Sequence, residues 1–577
     1  MNEEPLVDVA GLRVSFGPPR AAVSAVRSVS LTVRRGETVA IVGESGSGKS
    51  VTARSLLGLV GRGASVHADR LRVDGVDVLG LPERAWRGLR GRRVGYVLQD
   101  ALVSLDPLRK VGAEIADALR AHRVVPAGRT AERVVELLRS VGVGLPEARA
   151  AQYPHELSGG LRQRALIASA IAAEPALLVA DEPTTALDVT VQAQILRLLS
   201  ERRRAGTAML LISHDLAVVS EIADRVLVMK DGVFVERGTV RRVLDQPRHA
   251  YTRRLLAAVP DVHVKRARLS PTMPSDVAHR HPVPDEVVLE AEGLVKRFPL
   301  PGQPPLVAVD QVSFRLHAGE TLGLVGESGS GKSTVGRLLL GLGQPDAGTV
   351  RVLGRPWAEL GARDRRMLRR SIQVIHQDPL SSFDPRYSAE RIIAEPLAVL
   401  GMDRAERAVR VARLLDQVGL PPDVRRRRPR ELSGGQRQRV AIARALAPEP
   451  RVIVCDEPVS ALDVSIQAQV LDLLADLQRG LGIALLFISH HLGVIRHMSD
   501  RVLVMKDGRI VEEGDSGRVF EKPCHPYTRE LMDSVPTLGS PVSPLHRVLL
   551  PRAAPRILPG DPVFPAARKG IGEIWDS

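Results

Sequence analysis

The sequence is poor in cysteine, lysine, aromatic residues and long apolar runs, and each shortage excludes something. Two cysteines in 577 residues, Cys455 and Cys524, cannot build a disulfide framework or a four-cysteine metal site. No apolar run approaches the ~20 residues that a membrane-spanning helix needs. The longest, at 208–213 and 483–489, have the length of buried strands. The amino terminus, MNEEPLVDV, is acidic and lacks the basic and apolar regions of a secretion signal. A cytosolic chain with no membrane anchor of its own is the expectation. Only nine of the 81 basic residues are lysine, so arginine carries nearly all of the net charge of +15. A GC-rich genome favours arginine codons, and a basic surface serves nucleotide phosphates, nucleic acid or an anionic membrane alike.

What is present is a duplication. GESGSGKS at 43–50 recurs at 326–333, LSGG at 157–160 recurs at 432–435, and DEPTTALDVTVQAQIL at 181–196 recurs as DEPVSALDVSIQAQVL at 456–471. RVLVMKDG at 225–232 returns at 501–508, and the offsets run only from 275 to 283 residues. Two repeats of about 250 residues follow, at 5–262 and 286–536. Between them 263–285, with Pro271, Pro274, Pro282 and Pro284, reads as a linker, and 537–577 reads as a proline-rich tail.

Each repeat carries a strand, a GxxxxGK[ST] loop and a helix-like stretch, the context of a phosphate-binding loop. In the first, Gly43, Glu44, Ser45, Gly46, Ser47, Gly48, Lys49, Ser50 and Val51 form it; in the second, Gly326, Glu327, Ser328, Gly329, Ser330, Gly331, Lys332, Ser333 and Thr334. The glycines let backbone N–H groups wrap phosphates. Lys49 and Lys332 are expected on the β/γ-phosphates, and the hydroxyls of Ser50 and Ser333 on Mg2+. Apolar strands then end in Asp181-Glu182 and Asp456-Glu457. The aspartates suit a Mg2+ contact. The glutamates, pointed away by the alternation of side chains along a strand, suit activation of the attacking water. His214 and His490 end two further strands and suit the γ-phosphate, whereas Gln99 and Gln377 end strands as amides able to sense Mg2+ and the water. Phe16 and Phe298 precede the loops and are candidates for stacking on adenine, with core packing left open. Ser158-Gly159-Gly160 and Ser433-Gly434-Gly435 start helix-like segments and form a second phosphate-binding helix terminus in each half.

This set, in this order, resembles the ATP-binding-cassette ATPases over nearly the whole chain. The resemblance implies an α/β fold of tandem P-loop NTPase domains, each a RecA-like core with an antiparallel β subdomain and a helical subdomain. It implies two cassettes clamped head to tail around two ATP molecules. One site would join Lys49, Ser50, Gln99, Asp181, Glu182 and His214 to Ser433, Gly434 and Gly435. The other would join Lys332, Ser333, Gln377, Asp456, Glu457 and His490 to Ser158, Gly159 and Gly160. Asp188 and Asp463 match the loop that crosses between such sites. TALDVTVQAQIL, SLDP at 104–107, SFDP at 382–385, HAYTRRLLAAVP at 249–260 and HPYTRELMDSVP at 525–536 look like the oligopeptide/dipeptide importer ATPases, a group that also handles nickel and glutathione.

That likeness implies ATP and Mg2+, two transmembrane permease subunits, an extracytoplasmic solute-binding protein and a peripheral place on the cytoplasmic face of the membrane, with no nucleic acid. The fused pair would replace a homodimer of separate ATPase subunits, and the segments after Gln99 and Gln377 would pass its movement to the permeases. Three departures stand out. Leu161 stands opposite Gln436, and His491 opposite Asp215. Arg425–Arg428 lacks a counterpart of similar charge and reads as a solvated face. Some members of the group carry a cysteine cluster after the HPYT element; with none here, no iron–sulfur centre is expected. The rival readings are a soluble tandem-cassette ATPase acting on ribosomes, disfavoured by the short proline-broken linker, and a DNA-repair ATPase, disfavoured by missing zinc-binding cysteines.

Overall fold

The computed structural model describes residues 4–18, 22–61, 63–99, 104–185, 187–260, 268–270, 286–300, 303–460 and 462–536. Each half is built on a six-stranded sheet of the same strand order. In the first half the order is Val233–Thr239, Arg225–Lys230, Thr38–Val42, Ala208–Ile212, Leu177–Asp181 and Val94–Val97. In the second it is Arg509–Asp515, Arg501–Lys506, Thr321–Val325, Ala484–Ile488, Val452–Asp456 and Ile372–Ile375. All neighbours run parallel except the last hairpin of each half.

The run TVAIV at 38–42 is buried at every position because the sheet is covered on both faces. Alternation sends Val39 and Ile41 into one core and Ala40 and Val42 into another. The first core is roofed by an antiparallel sheet, Val23–Val33, Val7–Phe16, Arg70–Val73 and Val76–Asp77, with Ala64–His67 added beside Val7–Phe16. The equivalent sheet of the second half is Gln303–His317, Val287–Leu300, Ala347–Val352 and Arg355–Pro356. The other face meets helices whose apolar residues recur at helical spacing, such as Ile115 and Leu119 of Val111–Ala121 and Val134, Leu137 and Leu138 of Thr130–Ser140. Ala389–Val399 and Arg404–Gln417 repeat this in the second half with Ile393, Leu397, Val411 and Leu415.

The halves are packed together. Val189 of the first half lies in the core of the second, and Val464 of the second packs on the core of the first. Three residues of the stretch read as a linker belong to the described part, and they are docked. Leu269 is 4% exposed in the core of the second half. Its N–H and that of Ser270 donate to the two oxygens of Asp472 at 3.1 and 2.8 Å, and Arg268 pairs with Asp476 at 2.7 Å. Both aspartates lie on the helix Val464–Leu481. The tail at 537–577 lies outside the described residues.

Candidate active site

The two glycine-rich loops connect the strand Thr38–Val42 to the helix Lys49–Ser55, and Thr321–Val325 to Lys332–Leu339. Their tightness requires glycine at Gly48 and Gly331. Both have φ +104°, and a Cβ would lie 2.5 Å from the carbonyl of Ala25 or 2.2 Å from that of Ala308. The buried Lys49 folds back over its own loop, donating to the carbonyls of Gly43 and Glu44 at 2.7 and 2.8 Å. Lys332 does the same with Gly326 and Glu327 at 2.8 and 2.7 Å. Burial lowers the pKa of both ammonium groups, against the raising effect of Glu182 and Glu457.

Ser50 donates to Asp181 at 2.9 Å, and Ser333 to Asp456 at 3.4 Å. Burial raises the pKa of both aspartates. The adjacent glutamates diverge from them for a reason that strand alternation does not supply. Each strand ends on the aspartate, and Glu182 and Glu457 turn off through left-handed backbone, φ +52° and +49°. Such a conformation is costly for a residue with a Cβ and persists where its surroundings impose it. Here the glutamate N–H groups donate to Ile212 and Ile488, both at 2.9 Å.

The glutamate side chains are then fixed by neighbours. Glu182 accepts from Gln99 at 2.8 Å and Thr185 at 3.0 Å, and meets Nδ1 of His214 at 3.3 Å. Glu457 accepts from Gln377 at 2.8 Å and meets Nδ1 of His490 at 3.0 Å. Burial raises the pKa of each glutamate, but the histidine contact and the charge of the loop lysine, joined at Glu182 by the Thr185 hydrogen bond, together hold both below the usual carboxylate value. His214 moves the opposite way. Burial lowers it, yet its bond to Glu182 and the charges of Glu182 and Asp215 carry it above the ordinary imidazole value.

Contacts also cross between the halves. Thr190 donates to Glu327 of the opposing loop at 2.7 Å, and the N–H of Ser328 donates to Asp188 at 3.4 Å. Asp463 lines a small pocket with Gly43, Glu44 and His214. Ser158 and Ser433 cap the helices Gly159–Ile171 and Gly434–Leu446, accepting from Leu161 and Gln436. Among the described residues no hydrogen bond joins them to the opposing glycine-rich loop. Val51 and Thr334 fall in the first turn of the helix that follows each loop. Phe16 is half-buried against the first half's core, whereas Phe298 is 43% exposed with the Lys296 ammonium 5.8 Å from its ring centre. His491 caps the helix Leu492–Met498, accepting from Val494 at 3.2 Å, as Asp215 caps Leu216–Ile222. The arginine run is tied to acidic partners, Arg425 to Glu390 and Arg427 to Asp423.

Three tyrosines escaped the reading of the sequence. Tyr96 donates to Asp181 at 3.0 Å. Tyr251 and Tyr527 reach the backbone of the glycine-rich loops. The repetition of the HxYT motif was a signal for the latter pair, whereas nothing near Tyr96 marked it.

Comparison with known proteins matches this chain twice to the family described as ABC transporter, at residues 26–185 and 309–460. It also matches the oligopeptide/dipeptide transporter C-terminal region twice, at 235–284 and 511–557. The chain is 45% identical over 576 residues to the glutathione import ATP-binding protein GsiA of Salmonella choleraesuis, covering 95% of this chain and 92% of that protein. The protein of the same name from Escherichia coli O157:H7 is 47% identical over 571 residues, covering 94% and 91%. That of Pectobacterium atrosepticum is 46% identical over 581 residues, covering 95% and 92%.

Proposed function

Because the chain belongs to the ABC transporter family and carries the oligopeptide/dipeptide transporter C-terminal region in both halves, we propose that it is the fused ATP-hydrolysing subunit of an importer for peptides or glutathione. The observation that carries this reading is the doubled set of loop lysine, serine, aspartate, glutamate, glutamine and histidine, with Asp188 and Thr190 of one half bonded to the loop of the other. The cassettes are 5–262 and 286–536. The relatives named for import give no support to action on ribosomes.

Lys49 and Lys332 exchange their loop carbonyls for the β/γ-phosphates of ATP, and the loop N–H groups take the remaining phosphate oxygens. Ser50 with Asp181, and Ser333 with Asp456, place hard oxygen donors side by side, a fit for Mg2+, which when bound offsets phosphate charge. Glu182 and Glu457, ionised and oriented by Gln99, Gln377, His214 and His490, accept the proton of the attacking water. Ser158-Gly159-Gly160 and Ser433-Gly434-Gly435 close on the phosphates held by the opposite half, and Phe16 and Phe298 face adenine. ATP binding shuts the pair and hydrolysis reopens it, a conformational cycle with no chemistry on the cargo.

Two permease subunits and an extracytoplasmic solute-binding protein complete the assembly, with this chain on the cytoplasmic face of the membrane. No helix among the described residues is long and apolar enough to cross a membrane. Leu108, beside the SLDP segment, is 85% exposed and offers an apolar contact to a permease loop. Purification of the tagged chain from native membranes in mild detergent tests this. Two polytopic proteins and a solute-binding protein are the expected partners. Ribosomal proteins in stoichiometric amount, without a membrane partner, would overturn it.

A further inference from the structure

The tyrosine of the HAYT and HPYT elements is buried against the glycine-rich loop. Tyr251 and Tyr527 are 2% and 3% exposed. Their hydroxyls accept from the backbone N–H of Glu44 at 3.0 Å and of Glu327 at 3.1 Å, across 207 and 200 residues of chain. That N–H shares one rigid peptide plane with the carbonyl of Gly43 or Gly326. The same carbonyl accepts from Lys49 at 2.7 Å, or from Lys332 at 2.8 Å. One peptide is therefore pinned at both ends, by tyrosine on the nitrogen side and by the loop lysine on the oxygen side.

The tyrosine is itself held firmly. The Lys230 ammonium lies 5.4 Å from the ring centre of Tyr251, and that of Lys506 lies 4.4 Å from Tyr527. His249 and His525 cap the helices Ala250–Ala257 and Pro526–Asp533, each accepting from the tyrosine N–H through Nδ1. Glu236 accepts from the N–H groups of Arg248 and His249, and Glu512 from those of Cys524 and His525. Beyond the helices, Val259, Pro260, Val535 and Pro536 line the cavity between the halves with His214 and His490. The arrangement is the same in both halves.

Building on the ATP-binding reading above, we propose that Tyr251 and Tyr527 are positioning residues for ATP. Each hydroxyl sets the peptide that orients the loop lysine, which makes the C-terminal element part of the nucleotide site. When ATP takes the lysine from its carbonyl, the tyrosine keeps that peptide in place, so the loop meets the phosphates already formed.

The test is Tyr251→Phe, Tyr527→Phe and the double variant in the full chain, each removing one oxygen and leaving the ring packing. The KM for ATP is expected to rise about five- to tenfold in the double variant, the factor one buried hydrogen bond is worth, with kcat held within about twofold. The amides of Glu44 and Glu327 should also exchange with deuterium faster without nucleotide. If the double variant fails to fold, Tyr251→Phe alone carries the test by the same two readouts. Unchanged KM and unchanged exchange, with a lowered melting temperature, would overturn the positioning role and leave the ATP reading intact. Failure of the unmodified chain to bind or hydrolyse ATP would overturn both.

Discussion

Asp181 and Asp456 end equivalent strands of the two halves, yet they are held differently. Asp181 is fully buried and accepts from Ser50 at 2.9 Å and Tyr96 at 3.0 Å, with Arg54 at 3.7 Å. Asp456 accepts from Ser333 at 3.4 Å, and Val374 fills the position equivalent to Tyr96. A second contrast lies at the helices that begin with the LSGG motif. Gln436 returns its side chain to the N–H of Ser433 at 3.1 Å and closes a capping box. Leu161 cannot, and packs on the core instead. Duplicated motifs thus fix which groups are present, while residues outside the motifs decide how firmly each is held.

The largest expected effect asks whether both sites hydrolyse ATP. Glu182→Gln with Glu457→Gln should cut turnover by about 100-fold or more while leaving ATP binding, the loss typical of a removed general base. Either substitution alone should lower turnover; full activity in Glu457→Gln alone would refute hydrolysis at two sites. Next comes Tyr96→Phe, which strips a donor from a buried carboxylate and should cost about 1–2 kcal/mol in denaturant unfolding. Val374 has no hydrogen bond to lose, so this cost is expected at Asp181 alone, and no loss in Tyr96→Phe would remove the asymmetry between the aspartates. Smallest is the cap. Gln436→Leu should cost about 0.5–1 kcal/mol by the same assay, and Leu161→Gln should recover a few tenths if its side chain turns back to Ser158.

The sheets and loops were legible because strands such as 38–42 and 321–325 are continuous apolar runs leading into glycine-rich turns whose chemistry is local. Asp188 and Asp463 could be placed only through resemblance, since the contacts of Asp188 with the opposing loop depend on how the halves pack. The turn of Glu182 away from Asp181 does not come from alternation, which holds only as far as the strand continues, and this strand stops one residue earlier. Tyr251 lies 207 residues from Glu44, so periodicity could not bring them together. The docking of Leu269 is hidden from the sequence because the prolines around it read as a linker, and its anchors, Asp472 and Asp476, lie about 200 residues away in the chain.

The fastening of 268–270 to the helix Val464–Leu481 bears on stoichiometry. Separate subunits meet at a rate set by their concentration, whereas two halves of one chain meet within the same molecule. Pairing here is independent of expression level. Every molecule holds one copy of each half, so the unequal surroundings of Asp181 and Asp456 are never averaged out by mixed or like-with-like assembly.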